Sequence, residues 1–173
     1  MTSQNLELSY HQVLGKGGFG LVYRATDCLS TQYAVKLVME TTKNTAEQAM
    51  KVAVREYSIW QNLNHQNIVR CLGRSERTWM SEELGKEVKA TVLKMEFLDG
   101  GDLFDQVKFG GAFSENVSRL LFKQLMEGVD HIHQRGISHL DLKLDNIFVN
   151  CTDDLTSSQG LLKIGDFGLS VFT

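Results

Sequence analysis

Proline is missing from this sequence altogether. At an average usage of roughly 5%, a chain of 173 residues would contain about 9 prolines. Compositional drift would explain the shortage, and so would a longer domain whose proline-bearing part lies outside this sequence. Both explanations stay open at this point.

The sequence also lacks long apolar runs, a leader segment and an excess of positive charge. No apolar run approaches the ~20 residues that span a bilayer, and residues 1–10 lack the basic and apolar regions of a signal peptide. The net charge of -3 gives no sign of a nucleic-acid-binding surface. We therefore expect neither a membrane nor a nucleic acid as a partner.

Cysteine is scarce, with three residues at positions 28, 71 and 151 and no metal-ligand spacing between them. We interpret them as reduced thiols and expect a cytoplasmic protein. Apolar residues make up 42% and charged residues 23%, which is ordinary for a globular domain and excludes long disorder.

The first half of the chain has the pattern of a β-sheet. Segments rich in Val, Tyr and Leu between turn residues predict strands at residues 10–14, 21–25, 32–38, 68–73 and 90–97. The charged segment 74–89 is expected to be a solvated hairpin tip. Residues 44–62 have a helical period and begin with Thr45 and Gln48 in a capping-box pattern.

The second half is mostly helical. Residues 99–102, with two glycines between acids, give the strongest linker signal in the chain. A helix is predicted from Ser114 to about Gln134, stopped by Gly136. Short strands at residues 146–150 and 161–164 follow. The fold class is therefore α+β in two lobes.

Glycines at positions 15, 17 and 20 form a G-x-G-x-x-G pattern followed by Val22. Such a turn often only closes a hairpin, and that interpretation has about even odds. A dinucleotide site needs a helix straight after the glycines. A strand is predicted here instead, so the glycine backbone could approach phosphate groups closely.

Lys36 and Glu56 are the next pair of candidate residues. Lys36 alone could be an outward residue of an alternating strand. Glu56 lies among apolar helix positions, where an unpaired carboxylate is costly. An ion pair between them would remove that cost and would hold an ammonium group near a phosphate.

The most specific pattern runs from His139 to Asn146, followed by Asp166 about twenty residues later. Amide and carboxylate oxygens are ligands suited to Mg²⁺, which binds few protein groups together with phosphate oxygens. Asp141 could accept a proton from an attacking hydroxyl. Each acid alone could be a turn or cap residue. The whole set in this order is not explained by turn and cap residues.

Taken together, these motifs resemble a eukaryotic-type serine/threonine protein kinase. Over residues 10–173 the order is the family's own: glycine-rich loop, Ala-Val-Lys, helix glutamate, His-x-Asp loop with Lys and Asn, then Asp-Phe-Gly. The resemblance implies an antiparallel, β-rich N-lobe at residues 10–98, a hinge at 99–102 and the first, incomplete part of a helical C-lobe at 103–173.

The resemblance also implies a role for each matching residue, with ATP and Mg²⁺ bound. The expected ATP-binding residues are Leu14, Gly15, Lys16, Gly17, Gly18, Phe19, Gly20, Val22, Ala34, Lys36, Met95, Glu96, Leu98, Asp102 and Phe148. Asn146 and Asp166 would bind the metal. Lys36, held by Glu56, would bind the α- and β-phosphates, and Lys143 the γ-phosphate. Asp141 would orient the substrate hydroxyl. His139, Phe167, Trp60 and Cys71 match the positions of an internal packing spine.

Two features depart from the family. Leu140 stands where an arginine usually pairs with an activation-loop phosphate, so switching by such a phosphate is not expected. The sequence also stops five residues after Gly168, before the family's peptide-binding segment. We therefore expect the chain alone to have weak or no activity, and the apolar face of the helix at 114–134 to need a partner.

The expected function is transfer of the γ-phosphoryl group of ATP to a serine or threonine hydroxyl of a protein substrate. Two alternatives remain open. The chain could be a non-catalytic, nucleotide-binding or regulatory module, or a fragment whose activity belongs to a longer kinase.

Overall fold

A computed structural model of the chain describes residues 8–17, 20–150 and 162–173, which divide into two compact units. The first unit holds the described residues up to Tyr57 together with Cys71–Phe97. The second holds Ser58–Arg70 and the described residues from Leu98 onward. Sheet and helices are both present, so the α+β class is confirmed.

The first unit is built on one antiparallel sheet of five strands in the order β1-β2-β3-β5-β4. Its strands are β1 (Ser9–Gly17), β2 (Gly20–Thr26), β3 (Gln32–Met39), β4 (Cys71–Ser81) and β5 (Lys86–Glu96). The predicted strands at 10–14, 21–25 and 32–38 are confirmed, and each is longer than predicted.

The last two strands correct the sequence analysis. The strand predicted at 68–73 begins only at Cys71 and continues to Ser81, and most of the supposed solvated tip at 74–89 is paired strand. Aromatic packing is the physical reason. The Trp79 ring lies 5.1 Å from the ring of Tyr10 and 5.4 Å from that of Tyr23. Arg77 lies on the same face as Trp79, over the Tyr10 and Trp79 rings, so this face of β4 does not have an apolar alternation.

Helix α1 (Ala46–Trp60) covers one face of this sheet. Its predicted capping box is confirmed, because Thr45 N–H donates to Gln48 Oε1 at 2.9 Å and Gln48 N–H donates to Thr45 Oγ1 at 3.3 Å. Ala49 and Ala53 pack on buried side chains of β3 and β5. The opposite face of the sheet buries the second apolar cluster, around Val35 and Leu37.

The second unit contains α2 (Leu103–Gly110) and α3 (Glu115–His133), followed by two short ribbons. The helix predicted from 114 to 134 is confirmed, with the Ser114 hydroxyl accepting from Val117 N–H. The ribbons are β6 (Ile137–Ser138) with β9 (Val171–Phe172), and β7 (Ile147–Val149) with β8 (Leu162–Ile164). The predicted strands at 146–150 and 161–164 are thereby confirmed, except that residue 161 lies outside the described residues.

Hydrogen bonds show why Ser58–Arg70 belongs to the second unit. Ile164 N–H donates to Asn67 O and Val69 N–H donates to Ile164 O, both at 2.9 Å, so the segment pairs with β8. The buried Asn67 amide also donates to Leu162 O at 2.8 Å and to Gln124 Oε1 at 3.2 Å. Residues 65–69 are therefore fixed between β8 and α3.

Two further observations bear on location. None of the helices in the described part of the chain is long and apolar enough to cross a membrane. Cys28 and Cys71 are free thiols, while Cys151 lies outside the described residues. The cytoplasmic location stays a prediction.

Gly128 gives a test of this packing. A Cβ there would lie 2.8 Å from Ile164 Cδ1 and 2.9 Å from Asn67 O. Although Gly→Ala normally stabilises a helix by about 0.5–1 kcal/mol, we expect Gly128→Ala to lower the free energy of unfolding by about 1–3 kcal/mol through overpacking. The matched control is Gly110→Ala in α2, where a Cβ meets nothing within 4 Å. Urea denaturation measures both, and equal effects would contradict this packing.

Candidate active site

The strand register brings the candidate residues of the first unit to one face of its sheet. Val22 lies opposite Lys36, and Lys36 lies opposite Leu93 on the other side. Because side chains alternate along a strand, Ala34 and Lys36 share this face. Leu93 packs against α1, which makes this the helix-facing side of the sheet.

Lys36 and Glu56 form the ion pair that the sequence predicts. Lys36 Nζ donates to Glu56 Oε1 at 2.8 Å and to Oε2 at 2.9 Å. The Glu56 side chain is 0% exposed and that of Lys36 is 20% exposed. A carboxylate in this position needs its cation, so the pair fixes α1 against β3 and holds the ammonium group on the sheet face.

The glycine-rich segment closes the hairpin between β1 and β2. Gly15 pairs with Val22, Lys16 with Leu21, and Gly17 with Gly20, while Gly18 and Phe19 lie outside the described residues. A Cβ on Gly15 would meet nothing within 4 Å, whereas one on Gly20 would lie 1.7 Å from Leu37 O. Gly20 is therefore required by packing against β3, and Gly15 has open space above it.

The expected ATP-binding residues lie in both units, and among them Asp102 is expected to contact the ribose. In the first unit, Leu14 is exposed on β1, Ala34 pairs with Met95, and Glu96 pairs with Tyr33. In the second unit, Asp102 forms an isolated β-bridge with Phe148. Leu98 is the first residue of the second unit's later segment.

Asp102 has a structural role beside its expected contact with ribose. Its Oδ1 accepts a hydrogen bond from Asp105 N–H at 2.8 Å, so it caps the N-terminus of α2. Gly101 before it has a φ of +67°, and Gly100 N–H donates to Val149 O. The Gly-Gly pair thus lets the chain turn along β7 and enter α2.

Asp141 is held by two neighbours in the loop that follows β6. Its Oδ2 accepts from Lys143 Nζ at 2.8 Å and from Asn146 Nδ2 at 2.9 Å. The Lys143 hydrogen bond, and then that of Asn146, hold the pKa of Asp141 below its usual value. The same contact raises the pKa of Lys143. Both groups are therefore charged at neutral pH.

The two expected metal ligands lie at the same end of the β7–β8 ribbon. Asn146 directly precedes β7, Asp166 follows β8 by two residues, and Gly165 N–H donates to Asn146 O at 2.9 Å. Asn146 Nδ2 is bound to Asp141, which leaves Oδ1 as the amide atom with ligand chemistry. No group of three or more His, Cys, Asp or Glu suited to a metal occurs in the described part of the chain.

His139 connects the Asp141 loop with the residues around Asp166. Its Nε2 lies 3.0 Å from Gly165 O, and its Nδ1 accepts from Asp141 N–H at 3.3 Å. A carbonyl can only accept, so Nε2 carries the proton. Burial lowers the pKa of His139, which keeps this neutral tautomer in place. The motif indicated packing for His139, but only the fold shows its hydrogen bonds.

The packing expected of a spine is present in the second unit. The Phe167 ring lies 5.0 Å from the His139 ring and 5.7 Å from the Trp60 ring. Trp60 Nε1 donates to Val69 O, which satisfies the buried indole. Cys71, the fourth residue of the expected spine, is on β4 of the first unit.

Leu140 and Asp166 both have left-handed backbone conformations, with φ of +64° and +56°. The Leu140 side chain is 64% exposed. Next to Leu140, His139 is buried, while the Asp141 side chain is 28% exposed. Such strained positions are common at functional sites.

The ion pair is testable by a double-mutant cycle. We expect Lys36→Met to lower the free energy of unfolding by about 1.5–3 kcal/mol, since it leaves a buried carboxylate without its cation. Adding Glu56→Gln is expected to recover part of that loss. Urea denaturation of both single variants and the double variant gives the coupling energy. Strictly additive effects would rule out the pair as a stabilising contact.

The known proteins that this chain resembles belong to one family. The family model described as "Protein kinase domain" matches residues 8–173. Serine/threonine-protein kinase 33 of Mus musculus is 33% identical over 94% of this chain and 31% of its own length. Serine/threonine-protein kinase RAD53 of Saccharomyces cerevisiae is 36% identical over 92% of this chain and 17% of its own length.

A solved structure gives the same result for the fold. The crystal structure of Rad53 1-466 in complex with AMP-PNP matches with a TM-score of 0.71 and 34% identity, over 94% of this chain and 38% of that one. The chain thus spans about a third or less of the length of these curated relatives. With the family model matching nearly its whole length, the chain belongs to the protein kinase family and has the protein kinase fold.

Proposed function

We propose that this chain is part of a kinase domain that binds ATP with Mg²⁺ and transfers the γ-phosphoryl group to a serine or threonine hydroxyl of a protein, with weak or no transfer by the chain alone. One observation carries the proposal. Asp141, Lys143 and Asn146 form a single hydrogen-bonded group whose charges suit phosphoryl transfer. The relatives are serine/threonine kinases by name, and one solved relative holds an ATP analogue.

The first unit would bind the nucleotide through its phosphates. The ammonium group of Lys36, fixed by Glu56, is a charge-assisted donor for the α- and β-phosphates. The open backbone at Gly15 and Gly17 allows close approach of a phosphate. Ala34 and Val22 supply apolar surface on the same side of the sheet for the adenine ring.

The second unit would orient the acceptor. An ionised Asp141 accepts a hydrogen bond from the substrate hydroxyl and takes its proton as the new O–P bond forms. The bond between the γ-phosphorus and the bridging oxygen breaks, and ADP leaves with the electron pair. Lys143, beside Asp141, would balance the negative charge of the γ-phosphate.

The donor set at the end of the β7–β8 ribbon fits Mg²⁺. One amide oxygen of Asn146 and the carboxylate of Asp166 are hard ligands, and two protein ligands with phosphate oxygens are typical of this ion. When bound, Mg²⁺ supplies charge neutralisation on the phosphates. Asn146 would contribute to both groups, since its Nδ2 donates to Asp141 and its Oδ1 would be the atom that binds Mg²⁺.

A non-catalytic nucleotide-binding or regulatory role is the second candidate. It is favoured by the departure at Leu140, which removes the arginine through which many kinases respond to phosphorylation. The presence of Asp141, Lys143 and Asn146 in one hydrogen-bonded group argues against a non-catalytic role. The two functions differ in whether bound ATP is turned over.

The deciding experiment measures nucleotide binding and phosphoryl transfer in the same samples. We expect a fluorescent ATP analogue to bind in a Mg²⁺-dependent way, and Lys36→Met to weaken that binding. Asp141→Asn is expected to keep binding but to lower the transfer of ³²P from labelled ATP by a factor of about 10² or more.

Asp145→Asn is the matched control, since Asp145 is an exposed acid of the 3-10 helix Leu144–Asn146 whose charge acts on Lys143, and transfer is expected to fall far less than in Asp141→Asn. Unchanged transfer in Asp141→Asn would contradict the catalytic assignment. Because weak or no transfer is expected of the chain alone, binding without transfer favours the non-catalytic role only when a longer protein that contains this chain also binds Mg²⁺-ATP without transfer.

We also propose that a partner protein covers part of α3. The prediction that the apolar face of this helix is uncovered is wrong, because that face packs inside the chain itself: Leu121 and Ile132 are buried, and Val117, Leu120, Leu125 and Val129 are half-buried. Phe122 and Met126, one turn apart, are instead 63% and 47% exposed. Their side chains form the part of the helix that would gain most from a protein surface.

Self-association reports this uncovered surface. We expect the wild-type chain to associate at micromolar concentration in sedimentation velocity, and Phe122→Ser/Met126→Ser to sediment as a monomer with an unchanged far-UV spectrum. Leu29→Ser is the control, because Leu29 is an exposed apolar residue of the first unit. A monomeric wild-type chain across that range would be evidence against the proposed cover.

A further inference from the structure

The long β4–β5 hairpin extends past the end of the sheet that carries the glycine-rich segment. Gly20 pairs with Val38, and Met39, the last residue of β3, pairs with Ala90 of β5. β5 begins four residues before Ala90, at Lys86, and β4 runs on to Ser81. The turn at residues 82–85 is therefore placed beyond the last residue of β3.

This turn is bound to the loop between β3 and α1. Glu83 Oε1 accepts from Thr42 N–H at 2.7 Å and from Thr42 Oγ1 at 2.6 Å. A second contact joins the same two segments, because Lys86 Nζ lies 2.8 Å from Glu40 Oε1. Helix α1 begins at Ala46, six residues after Glu40 and four after Thr42, so the hairpin holds the chain just before that helix.

Nearby groups also lower the pKa of Glu83. The hydrogen bonds from Thr42 lower the pKa of Glu83 most, and the charges of Lys16 and Lys43 lower it further. Lys16 lies on β1 between Gly15 and Gly17. The contact that Glu83 makes is therefore with the β3–α1 loop, through Thr42.

We propose that Glu83 is a positioning residue, which holds the start of α1 through Thr42 and thereby sets Glu56 for its ion pair with Lys36. The proposal rests on the proposed nucleotide-binding function. It adds a residue outside the nucleotide-binding set that influences nucleotide affinity. Within the residues that the structure describes, the hydrogen bonds of Glu83 come from Thr42, so its effect on nucleotide affinity passes through the loop and the helix.

Hydrogen bonds within the β3–α1 loop make it stiff enough for a displacement at Thr42 to move the start of α1. Thr41 N–H donates to Asn44 Oδ1 at 3.1 Å, and Lys43 N–H donates to Thr41 Oγ1 at 3.2 Å. Thr45 then caps α1. Consecutive residues from Thr41 to Thr45 are each tied, so a displacement at Thr42 is passed to the first turn of the helix.

Amide hydrogen exchange and nucleotide affinity together test the proposal. In Glu83→Ala, exchange of the amides at residues 42–50 is expected to be about tenfold faster, and affinity for a Mg²⁺-bound fluorescent ATP analogue about threefold weaker. Glu83→Gln keeps an acceptor oxygen for Thr42 and is expected to restore most of both. Thr42→Val, which loses only the hydroxyl bond, is expected to lie between.

Glu82→Ala is the matched control, since Glu82 is in the same turn but its charge acts on Tyr23. Wild-type exchange in Glu83→Ala would overturn the proposal, and so would faster exchange with unchanged affinity, which would make the contact merely structural. If the wild-type chain itself binds no nucleotide, the proposed function and the positioning role both fail. In that case, the exchange rates test only whether the contact between Glu83 and Thr42 stabilises the start of α1.

Discussion

The buried ion pair between Lys36 and Glu56 is the contact on which the arrangement of the first unit depends. Glu56 is completely buried in α1, and a carboxylate without a cation there would cost more than most single contacts supply. The pair therefore fixes the helix against the middle strand of the sheet. It also places an ammonium group on the helix-facing side, next to the row formed by Val22 and Ala34.

In the second unit, several polar groups lie close together in short irregular segments. The β7–β8 ribbon brings Asn146 and Asp166 to one end, and His139 joins the Asp141 loop to Gly165. Neutral His139 does this because burial suppresses its protonation. Packing of Phe167 between the rings of His139 and Trp60 then keeps the Asp166 segment in place.

Several site residues have structural and chemical roles together. Asp102 caps α2, Asn146 fixes Asp141, and Gly20 makes room for the backbone of β3. Loss of activity after substitution at these positions would therefore combine a change in fold with a change in chemistry. Lys36 and Asp141 are more separable, because stability and nucleotide affinity can be measured beside phosphoryl transfer.

Much of the fold could be predicted from local pattern. The capping box at Thr45, the helix ending near Gln134 and the three strands before residue 40 follow from period and turn residues, and all are confirmed. The Lys36–Glu56 pair was also predictable, since a charged residue in an apolar stripe demands a partner. The extent of β4 was not, because its alternation depends on Trp79 packing against two tyrosines from distant strands.

The sequence by itself determined the family, the order of the motifs and the identity of the candidate site residues, because these are carried by residue type and spacing. Only the tertiary structure decided which atoms meet. Four features depend on contacts between residues far apart in the chain or on the orientation of a side chain. They are the tautomer of His139, the orientation of the Asn146 amide, the lack of space for a side chain at Gly128 and the contact of Glu83 with Thr42. Such contacts depend on strand register and helix packing, which local sequence pattern does not encode.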